Sequence, residues 1–272
     1  MICDVCGRGC DLAEGQKGYC RARICRDGRI EPENYGRFTS VAIDPIEKKP
    51  LHFFHPGTHI LSVGSYGCSM RCFFCQNHEI SQDDGSLRAW EYISPKKLTD
   101  MAIEAAAKTD NIGVAFTYNE PIISYEYIID TAPLLHEAGL YCIVVTNGMV
   151  TGTAARLLAE HVDAFNIDLK SFSADFYRAN GGNIETVKSF IALASPESHV
   201  EITTLIIPGE NDDAAQMSHI ADFIASVDPD IPFHITRFYP RYHAMDIPPA
   251  DTSLTGRLAK VAEGKLNRVI AY

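Results

Sequence analysis

Short apolar runs alternate with amphipathic, helix-like segments along most of the chain. Six of the apolar runs are rich in β-branched and aromatic residues, which favour strands. The pattern therefore predicts six strands: Ile60–Val63, Ile112–Phe116, Tyr141–Val145, Ala164–Leu169, Val200–Ile206 and Phe233–Phe238.

Helix start signals stand between these runs. Ser94-Pro95, for example, combines a capping residue with a proline suited to the first helical turn. The predicted helices are Lys96–Lys108, Ile122–Ala138, Ala154–Glu160, Ile184–Ala194 and a segment from Asp212-Asp213 through Val227. Alternating strands and helices call for a parallel sheet with right-handed crossovers, so we predict an α/β fold, a partial (β/α)6 TIM-like barrel. In such a barrel the active groups lie at the carboxyl ends of the strands.

Composition and charge narrow the class of protein. A chain of 272 residues with 46% hydrophobic content can bury one barrel-sized core. It has neither a leader-like N-terminus nor an apolar run of membrane-spanning length, so we expect a cytoplasmic protein with no membrane partner. The net charge of −11 disfavours non-specific binding to nucleic acid. Nine cysteines in a reducing compartment favour metal ligation over disulfides.

Three closely spaced cysteines follow the first predicted strand. Cys68, Cys72 and Cys75 are separated by three and then two residues. A four-iron cluster is held by cysteine thiolates, and three of them leave one iron free to bind another molecule. The alternative is a zinc site in which His78 supplies the fourth ligand.

A second group of cysteines lies at the N-terminus. Cys3, Cys6, Cys10 and Cys20 are interleaved with glycines that suit a tight turn around an ion. Four thiolates can hold a structural zinc or an auxiliary iron–sulfur cluster, and the sequence leaves both open. We therefore predict a cysteine-rich, metal-binding extension over residues 1–35, followed by the barrel over residues 36–272.

Polar motifs follow the next three predicted strands. The segments Thr117–Pro121 and Thr146–Gly148 can be interpreted simply as a helix cap and a turn. In Asn166–Lys170, strand alternation points Asp168 and Lys170 to one interior face, where charges are costly without a partner or ligand. We therefore predict a ligand clamp at these two residues.

The quoted motifs resemble a known family over essentially the whole chain. The cysteine loop Gly67–Asn77 is similar to the cluster loop of radical S-adenosylmethionine (radical SAM) enzymes. The string Asp44-Pro-Ile-Glu-Lys-Lys-Pro50, together with His55-Pro-Gly57 and Phe238-Tyr-Pro240, resembles the radical SAM enzymes of the AmmeMemoRadiSam system. These are relatives of the pyruvate formate-lyase-activating enzymes.

The resemblance implies a reaction and its cofactors. A [4Fe-4S] cluster on Cys68, Cys72 and Cys75 would bind S-adenosylmethionine and cleave it reductively to a 5′-deoxyadenosyl radical. It also implies a reductant such as flavodoxin or ferredoxin. The cofactor-binding residues predicted from it, together with the clamp, are Phe74, Thr117, Asn119, Glu120, Thr146, Asn147, Asp168, Lys170, Thr203 and His234. Of these, Phe74 would pack near the adenine, Lys170 would pair with the methionine carboxylate and His234 would contact the adenosine.

Three functions are compared. The first is an activase-like enzyme that abstracts hydrogen from a protein or peptide. The second is a radical enzyme that acts on a small molecule or RNA, supported only by an arginine cluster at residues 21–29. The third is a non-enzymatic zinc protein. We favour the first, and the catalytic residues beyond the cluster ligands are not predicted.

Overall fold

One sheet of eight strands forms the framework of the protein, which is described over residues 1–272 by a computed structural model. The chain contains twelve strands in all, and the other four form two small pairs. The strands are β1 (Arg23–Arg26), β2 (Arg29–Pro32), β3 (Arg37–Phe38), β4 (Ser40–Pro45), β5 (His59–Gly64), β6 (Glu91–Tyr92), β7 (Asn111–Phe116), β8 (Tyr141–Thr146), β9 (Ala164–Asp168), β10 (His199–Ile206), β11 (Phe233–Arg237) and β12 (Val269–Ala271).

The order of the strands in the large sheet is β12-β11-β10-β9-β8-β7-β5-β4. All neighbours from β5 to β12 are parallel, and β4 pairs with β5 in the antiparallel direction. The carboxyl ends of seven strands therefore meet at one edge. These pairings confirm the predicted α/β fold with its parallel sheet.

Eight helices connect the strands. They are α1 (His78–Ser81), α2 (Pro95–Lys108), α3 (Tyr125–Glu137), α4 (Gly152–His161), α5 (Ala174–Ala179), α6 (Ile184–Ala194), α7 (Ala214–Val227) and α8 (Thr252–Glu263). The predicted start signals act as caps, because the side chains of Ser94, Asn183 and Asp213 accept hydrogen bonds from backbone amides of the first turn. None of these helices combines the length and apolar character that crossing a bilayer requires.

The structure differs from the sequence prediction at the sheet edges, in one divided helix and in the helices α1, α5 and α8, which were not predicted. All six predicted strands are confirmed to within one residue at either end, but β4 and β12 extend the sheet to eight. Neither shows a period-2 apolar signal, since β4 is largely exposed and β12 has three residues. The helix predicted over residues 122–138 is divided into a 3-10 turn, Pro121–Ser124, and α3, because Ser124 adopts the non-helical angles φ −124° and ψ 44° at the junction.

The N-terminal segment packs against the barrel at the carboxyl edge of the sheet. Its Cys3, Val5 and Leu12 belong to the same apolar core as the strands. The Thr151 amide, just before α4, donates to the Val5 carbonyl oxygen at 3.0 Å. The Cys68 amide donates to the Cys20 carbonyl oxygen at 3.2 Å, which joins the two groups of cysteines through the backbone. The division of the chain between residues 35 and 36 stays a prediction.

Candidate active site

A cavity of about 300 Å³ opens at the carboxyl ends of the central strands. The three cysteines of the loop after β5 form part of its wall. Nine of the ten predicted cofactor-binding residues also line it, namely Phe74, Thr117, Asn119, Glu120, Thr146, Asn147, Asp168, Lys170 and Thr203. The fold therefore brings together side chains from five strand ends that are far apart in sequence.

The cysteine loop is held in place from several sides. Gly67 adopts φ +83°, and a Cβ at this position would lie 2.5 Å from the Cys20 carbonyl oxygen. Further along the loop, the Arg71 amide donates to the Asn180 carbonyl oxygen at 2.8 Å, and the Phe73 carbonyl oxygen accepts from the His243 amide at 2.9 Å. Backbone contacts with three separate segments thus position the thiols.

The three thiols are free and their environment is dry. Burial raises the pKa of Cys68 well above its usual value and that of Cys72 to about 12, although the Lys170 charge opposes the second shift. Thiolates bind metals, so a bound metal group must supply the charge stabilisation that the protein alone does not. The donor set fits a cluster that takes three thiolates and leaves one position open.

The zinc alternative lacks its fourth ligand. The His78 ring stacks on Tyr242 with ring centroids 4.4 Å apart, and His78 does not line the cavity. No three Cys, His, Asp or Glu side chains of the protein are gathered closely enough to hold a single metal ion. The geometry therefore does not supply the site that His78 would complete.

A cation lies inside the cavity wall. Lys170 Nζ donates to Asp168 Oδ2 at 2.6 Å, and its side chain is 14% exposed. Burial by itself lowers the pKa of Lys170, but the charge of Asp168 and the hydrogen bond to it outweigh burial and raise the pKa above its ordinary value. Lys170 is therefore protonated at neutral pH and is available to an anionic group in the cavity.

A buried carboxylate lies next to the cysteines. Glu120 accepts hydrogen bonds from the Thr146 hydroxyl at 2.7 Å and from the Asn147 amide at 2.8 Å. Burial raises its pKa to about 7. Asn147 Nδ2 lies 3.6 Å from the Cys68 sulfur, so the carboxylate, the amide and the thiol form one connected group. A ligand ammonium placed beside Glu120 would favour its ionised form.

Tyr118, which sequence reasoning missed, lies in the same wall, and Asp44 supports it without lining the cavity. Tyr118 adopts φ +70°, which is uncommon for a residue other than glycine, and its carbonyl oxygen accepts from Asn77 Nδ2 at 2.8 Å. Its hydroxyl donates to Asp44 Oδ2 at 2.7 Å, and Asp44 also accepts from Lys49 Nζ at 2.8 Å. The Asp-Pro-Ile-Glu-Lys-Lys-Pro string, to which no function was assigned, was the signal for this support.

The structure does not bring His234 to the cavity. The ring is fully buried, its Nε2 lies 2.6 Å from Glu201 Oε2, and its Nδ1 lies 3.2 Å from the Tyr272 hydroxyl. Strand alternation predicted the face of this side chain correctly, but the buried Glu201 carboxylate binds the ring below the cavity. Thr236, on the same face and two residues further along β11, lines the cavity instead. The structure therefore places His234 outside the cavity that the other nine predicted residues line.

The N-terminal segment brings some of its cysteines together through the backbone. The Cys3 amide donates to the Cys10 carbonyl oxygen at 2.8 Å. The pKa of Cys6 is raised to about 11, first by burial and then by ionisation of Cys20, Cys3 and Cys10. The Cys25 sulfur lies 4.0 Å from a Glu14 carboxylate oxygen. No three of these thiols are gathered closely enough to hold a single metal ion.

Comparison with known proteins identifies the family. The sequence profile of the radical SAM superfamily matches residues 62–221, which include the cysteine loop and strands β7 to β10. The chain belongs to the radical SAM superfamily. A radical SAM protein is an enzyme whose cofactors are a [4Fe-4S] cluster and S-adenosylmethionine, in agreement with the prediction from the loop.

Several individual proteins are similar to this chain. Uncharacterized protein MJ0808 of Methanocaldococcus jannaschii is 35% identical over 267 residues, covering 96% of this chain and 78% of the relative. The pyruvate formate-lyase-activating enzyme of Clostridium pasteurianum is 24% identical over 165 residues, which cover 59% of this chain and 67% of that enzyme. A domain of the Bacteroides vulgatus pyruvate-formate lyase-activating enzyme superposes with a TM-score of 0.52 at 18% identity, covering 59% of this chain and 98% of that domain. This radical SAM enzyme is therefore related to the activating enzymes at low identity.

Proposed function

We propose that this radical SAM enzyme is of the AmmeMemoRadiSam type and abstracts hydrogen from a protein or peptide. Cys68, Cys72 and Cys75 would hold the cluster. When bound, the cluster and S-adenosylmethionine supply one-electron cleavage of the sulfonium to methionine and a 5′-deoxyadenosyl radical, which takes a hydrogen atom from the substrate. The observation that carries the proposal is the shared cavity of three free thiols, a buried cation and a buried carboxylate.

The two charged groups match the two ends of an amino acid. Lys170 would bind the methionine carboxylate by a charge-assisted hydrogen bond, and Glu120 would accept from the methionine ammonium. Asp168, now paired with Lys170, would turn to the amino or ribose group of the cofactor. Because both groups lie in the same cavity as the thiols, they would hold the sulfonium close to the cluster position.

The remaining cavity residues would orient the nucleoside and exclude water. Phe74 is buried between Phe73 and Phe176 in an aromatic cluster and offers an apolar surface to the adenine. Thr117, Asn119, Thr146, Asn147 and Thr203 supply neutral polar atoms along the wall. Side chains that fill the wall around the cofactor would limit the access of water to a reactive radical.

The test of this assignment is reductive cleavage by cysteine variants. Wild-type protein, reconstituted anaerobically with iron and sulfide and reduced with dithionite, should form 5′-deoxyadenosine from S-adenosylmethionine. Cys68→Ala, Cys72→Ala and Cys75→Ala should each abolish it, because two thiolates do not hold the cluster in this state. Cys142→Ala, which removes a buried thiol from β8, is the matched control and should keep the activity. Product formation by all three loop variants would refute the assignment.

The choice of a protein or peptide substrate rests on the kinship with activating enzymes. The net charge of −11 supports it over RNA, which needs a basic surface. The electron would come from a reductant such as flavodoxin or ferredoxin. Substituting either protein for dithionite in the 5′-deoxyadenosine assay tests this partner directly.

We also propose that residues 1–35 form a metal-binding extension, with Cys3, Cys6, Cys10 and Cys20 as ligands of a zinc ion or an auxiliary iron–sulfur cluster. The spacing of these cysteines among glycines supports it, as do the backbone hydrogen bond from Cys3 to Cys10 and the influence of Cys20, Cys3 and Cys10 on the pKa of Cys6. Zinc would have to draw the thiols together, since no three of them are gathered for a single ion.

Metal analysis tests this extension. The reconstituted wild type should contain either more than about four irons per chain or one zinc, given the composition of a single four-iron cluster. The double variant Cys3→Ala/Cys6→Ala should lose only the additional metal, whereas Cys25→Ala should keep it. A wild type with four irons and no zinc would show that the N-terminal thiols bind no metal.

A further inference from the structure

A second cavity, of about 410 Å³, opens beside the cofactor cavity. The two share four lining residues: Phe74, Gln76, Asn77 and Leu205. A molecule in the second cavity would therefore lie against the same side chains as the cofactor. This is the position that a substrate must occupy to meet a radical formed in the first cavity.

Two arginines give the second cavity its charge. Arg237 donates through Nε to the Ala250 carbonyl oxygen at 2.8 Å, and Arg241 donates through Nη1 to the Pro240 carbonyl oxygen at 3.2 Å. Neither forms an ion pair with a carboxylate. Both Nη nitrogens of Arg237 and the Nη2 nitrogen of Arg241 have no hydrogen-bond partner within the protein.

The two arginines carry positive charge on a chain that is acidic as a whole, with a net charge of −11. Arg23, Arg26, Arg88 and Arg178 each form an ion pair with Asp or Glu, whereas Arg237 and Arg241 are among the arginines that form none. Two guanidinium groups without carboxylate partners at one cavity are suited to an anionic ligand, which the planar guanidinium binds through two parallel hydrogen bonds.

The wall that carries the arginines is attached to the cysteine loop. The segment after β11 contacts the loop through the hydrogen bond from the His243 amide to Phe73 and through the stacking of Tyr242 on His78. The Ala250 amide donates to the Phe238 carbonyl oxygen at 3.0 Å, which closes the segment on itself. The backbone that carries the two arginines is therefore joined to the cysteine loop beside the cofactor cavity, and both arginine side chains line the second cavity.

We propose that the second cavity binds the substrate peptide through a side-chain carboxylate held by Arg237 and Arg241. This inference rests on the proposed function, from which it takes the peptide nature of the substrate, and it adds the chemical group that the enzyme recognises. The exposed ring of Tyr239, over which the Arg237 guanidinium lies at 5.3 Å, offers an apolar surface to the neighbouring part of the peptide.

The experiment measures binding rather than turnover. Anaerobically reconstituted protein with S-adenosylmethionine is titrated by calorimetry with an acetylated, amidated Gly-Glu-Gly-Glu-Gly peptide, with the same peptide carrying Gln in place of Glu, and with pentauridine RNA. The Glu peptide should bind about tenfold more tightly than the Gln peptide, as expected for one charge-assisted contact. Arg237→Gln and Arg241→Gln should each remove most of this preference. Arg257→Gln, an exposed arginine on α8, is the matched control and should retain it.

Each outcome decides the proposal. Iron content and S-adenosylmethionine affinity are measured on the same samples, so that a variant that has lost its cluster is recognised, and the comparison of the two peptides on the wild type needs no variant. Equal affinity for both peptides, or no binding of either, overturns the carboxylate contact. Tighter binding of RNA than of the Glu peptide, lost in the two arginine variants, also overturns it and identifies a phosphate ligand. Formation of 5′-deoxyadenosine by the wild type without any peptide tests the proposed function separately.

Discussion

At the scale of single residues, the Lys170–Asp168 pair is open to two interpretations. At 2.6 Å it is a good ion pair by itself, and both side chains line the cavity with the thiols. In a purely structural pair, Lys170 would stay bonded to Asp168 and would make no contact with a bound ligand. A clamp would exchange the Asp168 contact for the cofactor carboxylate.

Substitution of Lys170 by Met separates these interpretations. A charge-assisted hydrogen bond in a partly dry cavity contributes roughly 1.5–3 kcal/mol, so the variant should bind S-adenosylmethionine about ten- to a hundredfold more weakly. Its iron content and visible spectrum should match the wild type, because Lys170 is no cluster ligand. Lys97→Met, at an exposed lysine on α2, is the control in the same equilibrium titration. Unchanged cofactor affinity in a Lys170→Met protein with an intact cluster would leave only the structural ion pair.

At the scale of elements, the loop after β5 depends on one backbone contact. Gly67 combines a positive φ with a close approach to the Cys20 carbonyl oxygen, and the next residue, Cys68, bonds to that same oxygen. A side chain at Gly67 would therefore push the cysteine loop away from the N-terminal segment. The Cys20 carbonyl oxygen has little freedom to move away, because it accepts the hydrogen bond from the Cys68 amide.

Gly67→Ala should lower cluster incorporation as well as stability. The strained φ costs about 1–2 kcal/mol, and the clash adds displacement of Cys68. Gly209→Ala is the matched control, because Gly209 has a similar φ of +81° with no atom within 4 Å of its ideal Cβ. We expect both variants to unfold at lower urea concentration, but only Gly67→Ala to bind less iron on reconstitution. Equal iron content in the two variants would show that the contact with Cys20 does not position the loop.

At the scale of the whole molecule, a buried carboxylate joins distant parts of the chain. Glu201 on β10 accepts hydrogen bonds from the backbone amides of His52 and Phe53, at 3.0 and 2.8 Å, and from the rings of His199 and His234. Burial by itself raises the pKa of Glu201, but these four donors outweigh it and lower the pKa to about 2. The group ties the segment before β5 to the far side of the sheet.

This shift makes Glu201 a source of stability that depends on pH. A lowered carboxylate pKa stabilises the fold fully above the unfolded value of 4.5, and the contribution disappears as the pH falls toward the folded value of about 2. Glu201→Gln should therefore reduce the free energy of unfolding at pH 7 by about 3 kcal/mol, at 1.36 kcal/mol per pKa unit. Urea unfolding followed by circular dichroism measures it, with the exposed Glu197→Gln as control. A deficit that stays the same from pH 7 to pH 3 would assign the effect to packing instead.

Local patterns in the sequence determined much of the secondary structure of this radical SAM enzyme. Apolar runs rich in β-branched and aromatic residues predicted the six central strands to within one residue, and the capping residues Ser94, Asn183 and Asp213 predicted the helix starts, because both signals depend on neighbours in the chain. Since parallel strands end at one edge, the motifs that follow them had to converge. Nine of ten predicted cofactor residues line one cavity for that reason.

Only the tertiary structure decided what depends on contacts between distant segments. Alternation gave the face of His234, but the partner that holds it, Glu201, comes from another strand, and so Thr236 takes the place beside the cavity. The Tyr118 hydroxyl bonds to Asp44, which lies 74 residues away in the sequence. Arg237 and Arg241 are candidate ligand contacts only because they line a cavity together with Phe74 and Leu205. Hydrogen bonds and cavities of this kind join residues that no local period connects, and therefore they become visible only when the sheet has brought its strand ends together.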